Sequence, residues 1–184
     1  DRLVPLTGAD RIAVVTGRAH RAAVEAEIPG IPDINVILES EPRDSAAAIG
    51  LAAAILVRRE PAVIIGSFSA DHVFKGIRLF EHAVRQAVAV ASAGYICTIG
   101  IPPTEPAIGF GYMKKAGELV VDGAPEAAFV ERFVEKPDLE TAREYVADRT
   151  NLGDAGMSIT RADVPLAQAA KTQPGVHAGV LELA

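Results

Sequence analysis

At 184 residues the chain is long enough for one sizeable domain with its own core, and its formal net charge of −6 argues against the basic stripe of a nucleic-acid surface. Apolar residues make up 49% of it, yet no run reaches the length of a membrane span and no basic-then-apolar leader opens it. A single Cys excludes a disulfide framework within the chain, which fits a cytoplasmic protein.

In chain order, residues 1–6 read as the tail of an amphipathic helix. Residues 11–17 (RIAVVTG) form a short strand ending in Gly, and residues 20–27 a helix stopped at Pro29-Gly30. Residues 34–38 are a second strand. The polar turn Glu41-Pro42-Arg43-Asp44-Ser45 leads into an Ala-rich helix over 46–58, with Asp44 or Ser45 as its cap. That helix is apolar nearly all round, which predicts burial. Glu60-Pro61 ends it. Next comes a β-branched run, Ala62-Val63-Ile64-Ile65, that turns small and polar and delivers Asp71 and His72. A helix follows over about 76–93, with Phe80, Val84, Ala87, Val88 and Ala91 as its core face and Gly94 as its stop. Residues 95–101 are a strand containing Cys97, read as a buried thiol.

The alternation of strand and helix to this point implies a parallel sheet with helices on both faces. The texture then changes. Gly109-Phe110-Gly111-Tyr112-Met113 and residues 128–134 (AFVERFV) are strand-like and flank a polar segment, which suggests an antiparallel insertion. Asp138 caps a helix reaching about Asp148. Residues 156–160 form a last short strand, and residues 161–171 a weaker helix containing Pro165. The expected fold class is therefore α/β, a three-layer Rossmann-like arrangement with a mixed, mainly parallel sheet and a small antiparallel insertion.

Four polar clusters fall at or near strand ends, which in a doubly wound sheet converge on one rim. Asp71, just beyond the central strand, suits a hard cation bound to phosphate oxygens, or equally a cap on the next helix. The Asp44-Ser45 turn offers N–H groups at a helix start to a base edge or an anion. Gly109 and Gly111 let a ligand approach their backbone, or are bulge glycines. Glu135 beside Lys136 suits a polyol phosphate, the carboxylate accepting hydroxyls and the ammonium taking the phosphate, or is a solvated pair. The four His residues show no ligand spacing, and no Ser-His-Asp or Cys-His arrangement is legible.

Together these motifs resemble mannose-1-phosphate guanylyltransferase (GDP-mannose pyrophosphorylase), a family of the sugar-nucleotidyltransferase superfamily. Glu41-Pro42-Arg43-Asp44-Ser45-Ala46 is similar to its E-P-x-R-N-T-A turn, and Ala70-Asp71-His72 to its central A-D-H. Gly100-Ile101-Pro102-Pro103-Thr104-Glu105-Pro106, with Gly109-Phe110-Gly111-Tyr112, resembles G-I-x-P-T-x-P-x-x-G-[FY]-G-Y. Phe133-Val134-Glu135-Lys136-Pro137 matches F-V-E-K-P, and Asp154-Ala155-Gly156-Met157 resembles N-[SA]-G-M.

The resemblance implies an enzyme making GDP-mannose and pyrophosphate from mannose 1-phosphate and GTP, with Mg²⁺ as cofactor. It implies guanine contacts for Glu41, Arg43, Asp44, Ser45 and Ala46. Asp71 would hold Mg²⁺ against the nucleotide phosphates, and Lys136 with Asp71 would carry catalysis. Gly109 and Gly111 would line the sugar pocket, and Glu135, Lys136 and Asp154 would bind the sugar phosphate. The expected partners are the two substrates, without nucleic acid or membrane, and with homo-oligomerisation left open. The alternatives are another sugar-1-phosphate nucleotidyltransferase or a non-catalytic sugar-nucleotide-binding regulatory homologue.

The chain also departs from the family. The family's Gly-rich loop, G-x-G-x-R-L-x-P, would precede Asp1, and its second metal-binding Asp would follow Ala184. Residues 1–184 thus read as a nucleotidyltransferase domain lacking both, expected to be inactive by itself. Gly153 and Ser158 stand where the family has aromatic residues, and Asp154 where it has Asn.

Overall fold

Strand and helix alternate through the first hundred residues of the computed structural model, which describes residues 2–41, 45–73 and 75–184. In chain order the elements are α1 (Val4–Thr7), β1 (Val14–Gly17), α2 (Arg21–Glu27), β2 (Val36–Glu39), α3 (Ser45–Arg59), β3 (Ile64–Ser67) and α4 (Ile77–Ser92). Then come β4 (Cys97–Ile101), β5 (Gly111–Glu118), β6 (Ala128–Glu135), α5 (Leu139–Asp148), β7 (Asn151–Arg161), α6 (Asp163–Thr172) and α7 (Pro174–Leu183). Backbone contacts divide the chain into two compact units, Asp1–Val63 with Pro165–Ala184, and Ile64–Val164. Among the described residues no helix is long and apolar enough to cross a membrane.

In the first unit β1 and β2 pair in parallel, Val14 opposite Val36 and Gly17 opposite Glu39. Asn35 is buried at the entry to β2, and its polar atoms are satisfied. Its amide donates to the carbonyls of Asp10 (2.8 Å) and Ile12 (3.1 Å), and its oxygen accepts from Arg59 (3.0 Å). A buried amide with partners on the segment before β1 and on α3 fixes where β2 begins. Helix α3 packs on α7, with Gly50 against Val180.

In the second unit β7 is the central strand. Ile159 lies opposite both Gly66 of β3 and Cys97 of β4, and Gly153 lies opposite both Ile101 of β4 and Tyr112 of β5. So β4 runs along one edge of β7, while β3 and β5 share the other, and β6 extends the sheet beyond β5. All of these ladders are antiparallel. Strands β3 and β4 therefore run parallel to each other, as the β–α–β alternation expects, but β7 lies between them. The five-stranded sheet is thus antiparallel throughout, parallel pairing among the described strands occurs between β1 and β2 of the first unit, and the antiparallel insertion read from residues 109–134 is the β5–β6 hairpin.

Helix α4 covers this sheet. Ala87 and Ala91 pack with Ile159, joined by Ile64, Phe68, Cys97 and Ile99. Cys97 is half-buried, and burial pushes its thiol pKa up, which keeps it protonated and unreactive. A second cluster joins Tyr112 of β5 to Ala142 and Tyr145 of α5. Helix α5 starts as expected, with Asp138 Oδ1 accepting from the Thr141 amide at 2.8 Å.

Several expectations need correction. On α4, Phe80, Val84, Ala87 and Ala91 are buried but Val88 is exposed, while Val90 and Gln86 are buried instead. The cause is the β5–β6 connection, where the Glu126 amide donates to Gln86 Oε1 at 3.0 Å. That contact turns the covered arc of the helix toward Gln86 and away from Val88. Helix α3 buries only Leu51, Ala53 and Ala54, not its whole circumference. Strand β7 begins at Asn151, well before the expected 156, because β4 and β5 satisfy its Gly- and Asp-containing first half from both sides. Helix α6 begins at Asp163, which places Pro165 in the first turn, where its missing N–H costs nothing. Helix α7, with Pro174 in its first turn, was not read from the sequence.

Candidate functional site

The unit Ile64–Val164 contains a cleft of about 610 Å³. Its walls include His72 and Lys75 from the loop after β3, Gly109 and Gly111 at the start of β5, Glu135 at the end of β6, and Asp154 of β7. The sheet order explains the convergence. β5 pairs with both β6 and β7, so Gly111 lies opposite Glu135 while Tyr112 lies opposite Gly153, next to Asp154. Four of the residues expected on the sugar side, Gly109, Gly111, Glu135 and Asp154, thus share one wall.

Gly111 lies at a close approach of two side chains. A Cβ there would come within 2.5 Å of the Phe133 ring and 2.9 Å of Glu135 Oε2. Gly109 has open space around it, with nothing within 4 Å of an added Cβ. Glu135 projects from the strand end with a half-exposed side chain, 3.6 Å from Lys136 Nζ. An exposed pair of this kind adds little stability, which leaves both groups available to a ligand. Lys136 has φ +47°, a left-handed conformation that disfavours a side chain. Its amide is held by the Phe110 carbonyl at 3.2 Å, which ties the end of β6 back across the start of β5. Lys136 is not part of the cleft wall and adjoins it through Glu135.

Asp154 is half-buried. Its Oδ1 accepts from Thr98 Oγ1 at 3.0 Å and from the Gly156 amide at 3.2 Å. Asp71 lies in an exposed turn after β3, adjacent to His72 of the cleft wall. Among the described residues no three of His, Cys, Asp and Glu form a metal cluster. The donor set offered here is one exposed carboxylate. That fits Mg²⁺, which is commonly held by one or two carboxylates with water and substrate phosphates completing its shell.

The residues expected at guanine belong to the other unit. Glu41 is exposed just after β2, and Ser45 and Ala46 are exposed at the start of α3. Arg43 and Asp44 lie outside the described residues. The sequence reading missed Lys75, a cation in the cleft wall, and Thr98, the donor to Asp154. Lys75 follows a loop with no periodic signal. Thr98 had one, as a hydroxyl residue inside the run Tyr95-Ile96-Cys97-Thr98-Ile99.

In chemical terms the cleft presents three carboxylates that accept hydroxyls (Glu105, Glu135 and Asp154), one ammonium that takes an anion (Lys75), and the imidazole of His72. In open α/β sheets ligands bind in crevices at strand ends, and a cleft with a few convergent polar groups is the expected place for a binding site. A model of the nucleotidyl transferase family matches residues 2–172, and the chain belongs to that family. The mannose-1-phosphate guanylyltransferase ManC of Salmonella typhimurium (strain LT2) is 36% identical over 173 residues, covering 90% of this chain and 35% of that protein. The xanthan biosynthesis protein XanB of Xanthomonas campestris pv. campestris (strain ATCC 33913) is 38% identical over 165 residues, covering 89% of this chain and 34% of that protein. The chain thus spans about a third of the length of the curated relatives it matches. A crystal structure described as a mannose-1-phosphate geranyltransferase from Thermus thermophilus superposes with a TM-score of 0.87 at 24% identity, over 99% of this chain and 51% of that one. That likeness shows the fold, and the α/β nucleotidyltransferase class expected from the sequence stands.

Proposed function

We propose that this chain is the nucleotidyltransferase part of an enzyme that makes GDP-mannose and pyrophosphate from mannose 1-phosphate and GTP. The observation that carries the reading is the convergence of Glu135 and Asp154 with Lys75 on one cleft, in a family member whose relatives are named for this activity. The sugar-phosphate oxygen attacks the α-phosphorus of GTP. A new P–O bond forms as the bond to the β-phosphate bridge breaks and pyrophosphate leaves. Glu135 and Asp154 accept sugar hydroxyls and orient the nucleophile. Lys136 and Lys75 balance the charge of the sugar phosphate. Gly109 and Gly111 give the ligand room at the backbone. Bound Mg²⁺ would neutralise the nucleotide phosphates, and Asp71 is the residue assigned to hold it. The turn of Glu41, Arg43, Asp44, Ser45 and Ala46 is assigned to guanine.

The test is product formation by the full-length protein that carries this chain, incubated with GTP, mannose 1-phosphate and Mg²⁺ and resolved by ion-pair chromatography. GDP-mannose is the expected product. Product from a different nucleotide or sugar phosphate alone would overturn the specificity, and no product from any such pair would overturn the activity. Glu135→Gln should raise KM for mannose 1-phosphate far more than KM for GTP, since an amide accepts hydroxyls less strongly than a carboxylate. An equal rise for both substrates would make Glu135 a structural residue.

A further inference from the structure

Strand β7 is irregular where it passes the cleft. Thr98 of β4 lies opposite Ser158 and Gly100 opposite Asp154, so two steps along β4 match four along β7. The surplus residues form a bulge over 155–157, and Gly156 within it has φ +61°. Bulges re-aim side chains next to sites, but a bulge containing Gly needs something to hold its shape. Thr98 Oγ1 spans this one. It lies 3.0 Å from Asp154 Oδ1 on one side and 3.1 Å from the Met157 carbonyl on the other. The hydroxyl has one proton, and the charged carboxylate is the stronger acceptor. The Gly156 amide donates to the same Oδ1 at 3.2 Å. Oδ1 is therefore committed inside the protein. Oδ2 has no hydrogen-bond partner among the described residues, and Asp154 lines the cleft.

We propose that Thr98 is a positioning residue for the sugar subsite: its hydroxyl clamps the β7 bulge and locks Asp154 so that Oδ2 faces the cleft as an acceptor for one sugar hydroxyl. This rests on the assignment of the cleft to a sugar phosphate. Thr98 touches no substrate. It removes the rotamer freedom that Asp154 would otherwise lose on binding. The clamp acts on the sugar alone, because Thr98 gives its one proton to Asp154, whose Oδ1 in turn accepts from the Gly156 amide of the bulge, and neither is assigned to the nucleotide.

The experiment compares Thr98→Val, which keeps the shape and removes the donor, with Thr98→Ser, which restores it, in the full-length protein. Thr98→Val should raise KM for mannose 1-phosphate about tenfold, the net worth of roughly one hydrogen bond to a charged group, with KM for GTP unchanged. Thr98→Ser should return KM to within about twofold of wild type. A KM that does not move in Thr98→Val, or the same rise in both variants or for both substrates, overturns the proposal. If Thr98→Val does not fold, Thr98→Cys, a much weaker donor of similar size, takes its place with the same split expected. If wild type makes no GDP-mannose, the assigned reaction has failed, and amide exchange at Gly156 decides the clamp separately. Exchange faster in Thr98→Val than in Thr98→Ser sustains it, and equal exchange removes it.

Discussion

Replacing Gly111 by Ala would separate a loss of function from a loss of fold. The added Cβ meets Phe133 Cζ at 2.5 Å, Phe133 Cε1 at 3.1 Å and Glu135 Oε2 at 2.9 Å. Each of these atoms is at the end of a side chain, and Phe133 is about half exposed at 49%. The clash is therefore relieved by swinging two side chains toward solvent, not by moving β5 or β6. Off-rotamer displacement costs roughly 0.5–1.5 kcal/mol. Removing a Gly from the unfolded chain returns about 0.4–1 kcal/mol. With two side chains displaced, stability should fall by at most about 2.5 kcal/mol, and Tm by less than about 10 degrees. The site fares differently, because Glu135 leaves the position from which it accepts sugar hydroxyls. A hydrogen bond to a charged group is worth about 1.5–3 kcal/mol, which corresponds to a rise of roughly ten- to a hundredfold in KM for mannose 1-phosphate. Steady-state kinetics with each substrate varied in turn, beside a thermal melt, checks both halves. Unchanged KM with unchanged Tm would show that Glu135 does not need its present position. A collapse in Tm would show that the Phe133 ring is not free to move.

Gly109→Ala makes the complementary test: with nothing within 4 Å, it should leave Tm unchanged, and a rise in KM would then report a ligand resting on that backbone. Asp71→Asn should abolish Mg²⁺-dependent turnover while the circular dichroism and Tm stay those of wild type, and turnover within a few-fold of wild type would remove Asp71 from the mechanism. Asp138→Ala should lower Tm, since it strips the cap from α5. The Thr141 amide holds the Asp138 carboxyl below its ordinary range, so its contribution is fully present above about pH 4 and fades as the pH falls through the lower folded value. The Tm gap between wild type and variant should therefore narrow in acid, and a gap that widened would refute the cap.

Where the sequence spoke through local chemistry, the fold was legible. The Asp138 cap, the Gly94 stop after α4, the β5–β6 hairpin and the strand–helix alternation up to β4 follow from residues within a turn or two of one another. What escaped depended on distant partners. The early start of β7 is set by β4 and β5, which satisfy a stretch too rich in Gly and Asp to read as strand. Val88 fits the helical period as well as Val84 does, and only the β5–β6 connection, reached through Gln86, decides which side of α4 is covered. The site divides along the same line. Gly109, Gly111, Glu135 and Asp154 were visible as motifs and share a cleft wall, whereas Lys75 and Thr98 matter only because of what lies across from them.

The placement of β7 also constrains the order in which this unit can assemble. Ile64 is paired with Arg161, and Cys97 with Ile159, so the sheet closes across most of the unit's own length. Until the last of residues 151–161 has been synthesised, β3 and β4 have nothing to bridge them and the β5–β6 hairpin has no sheet to join. The interval leaves two apolar strands with open edges on a nascent chain, the condition under which strands recruit the wrong neighbour. The non-local closure also places this unit among slowly forming topologies. The Gly and Asp content of the first half of β7 suits that interval. A segment with weak strand propensity of its own stays soluble while it waits, and becomes a strand only when both edges are there to receive it.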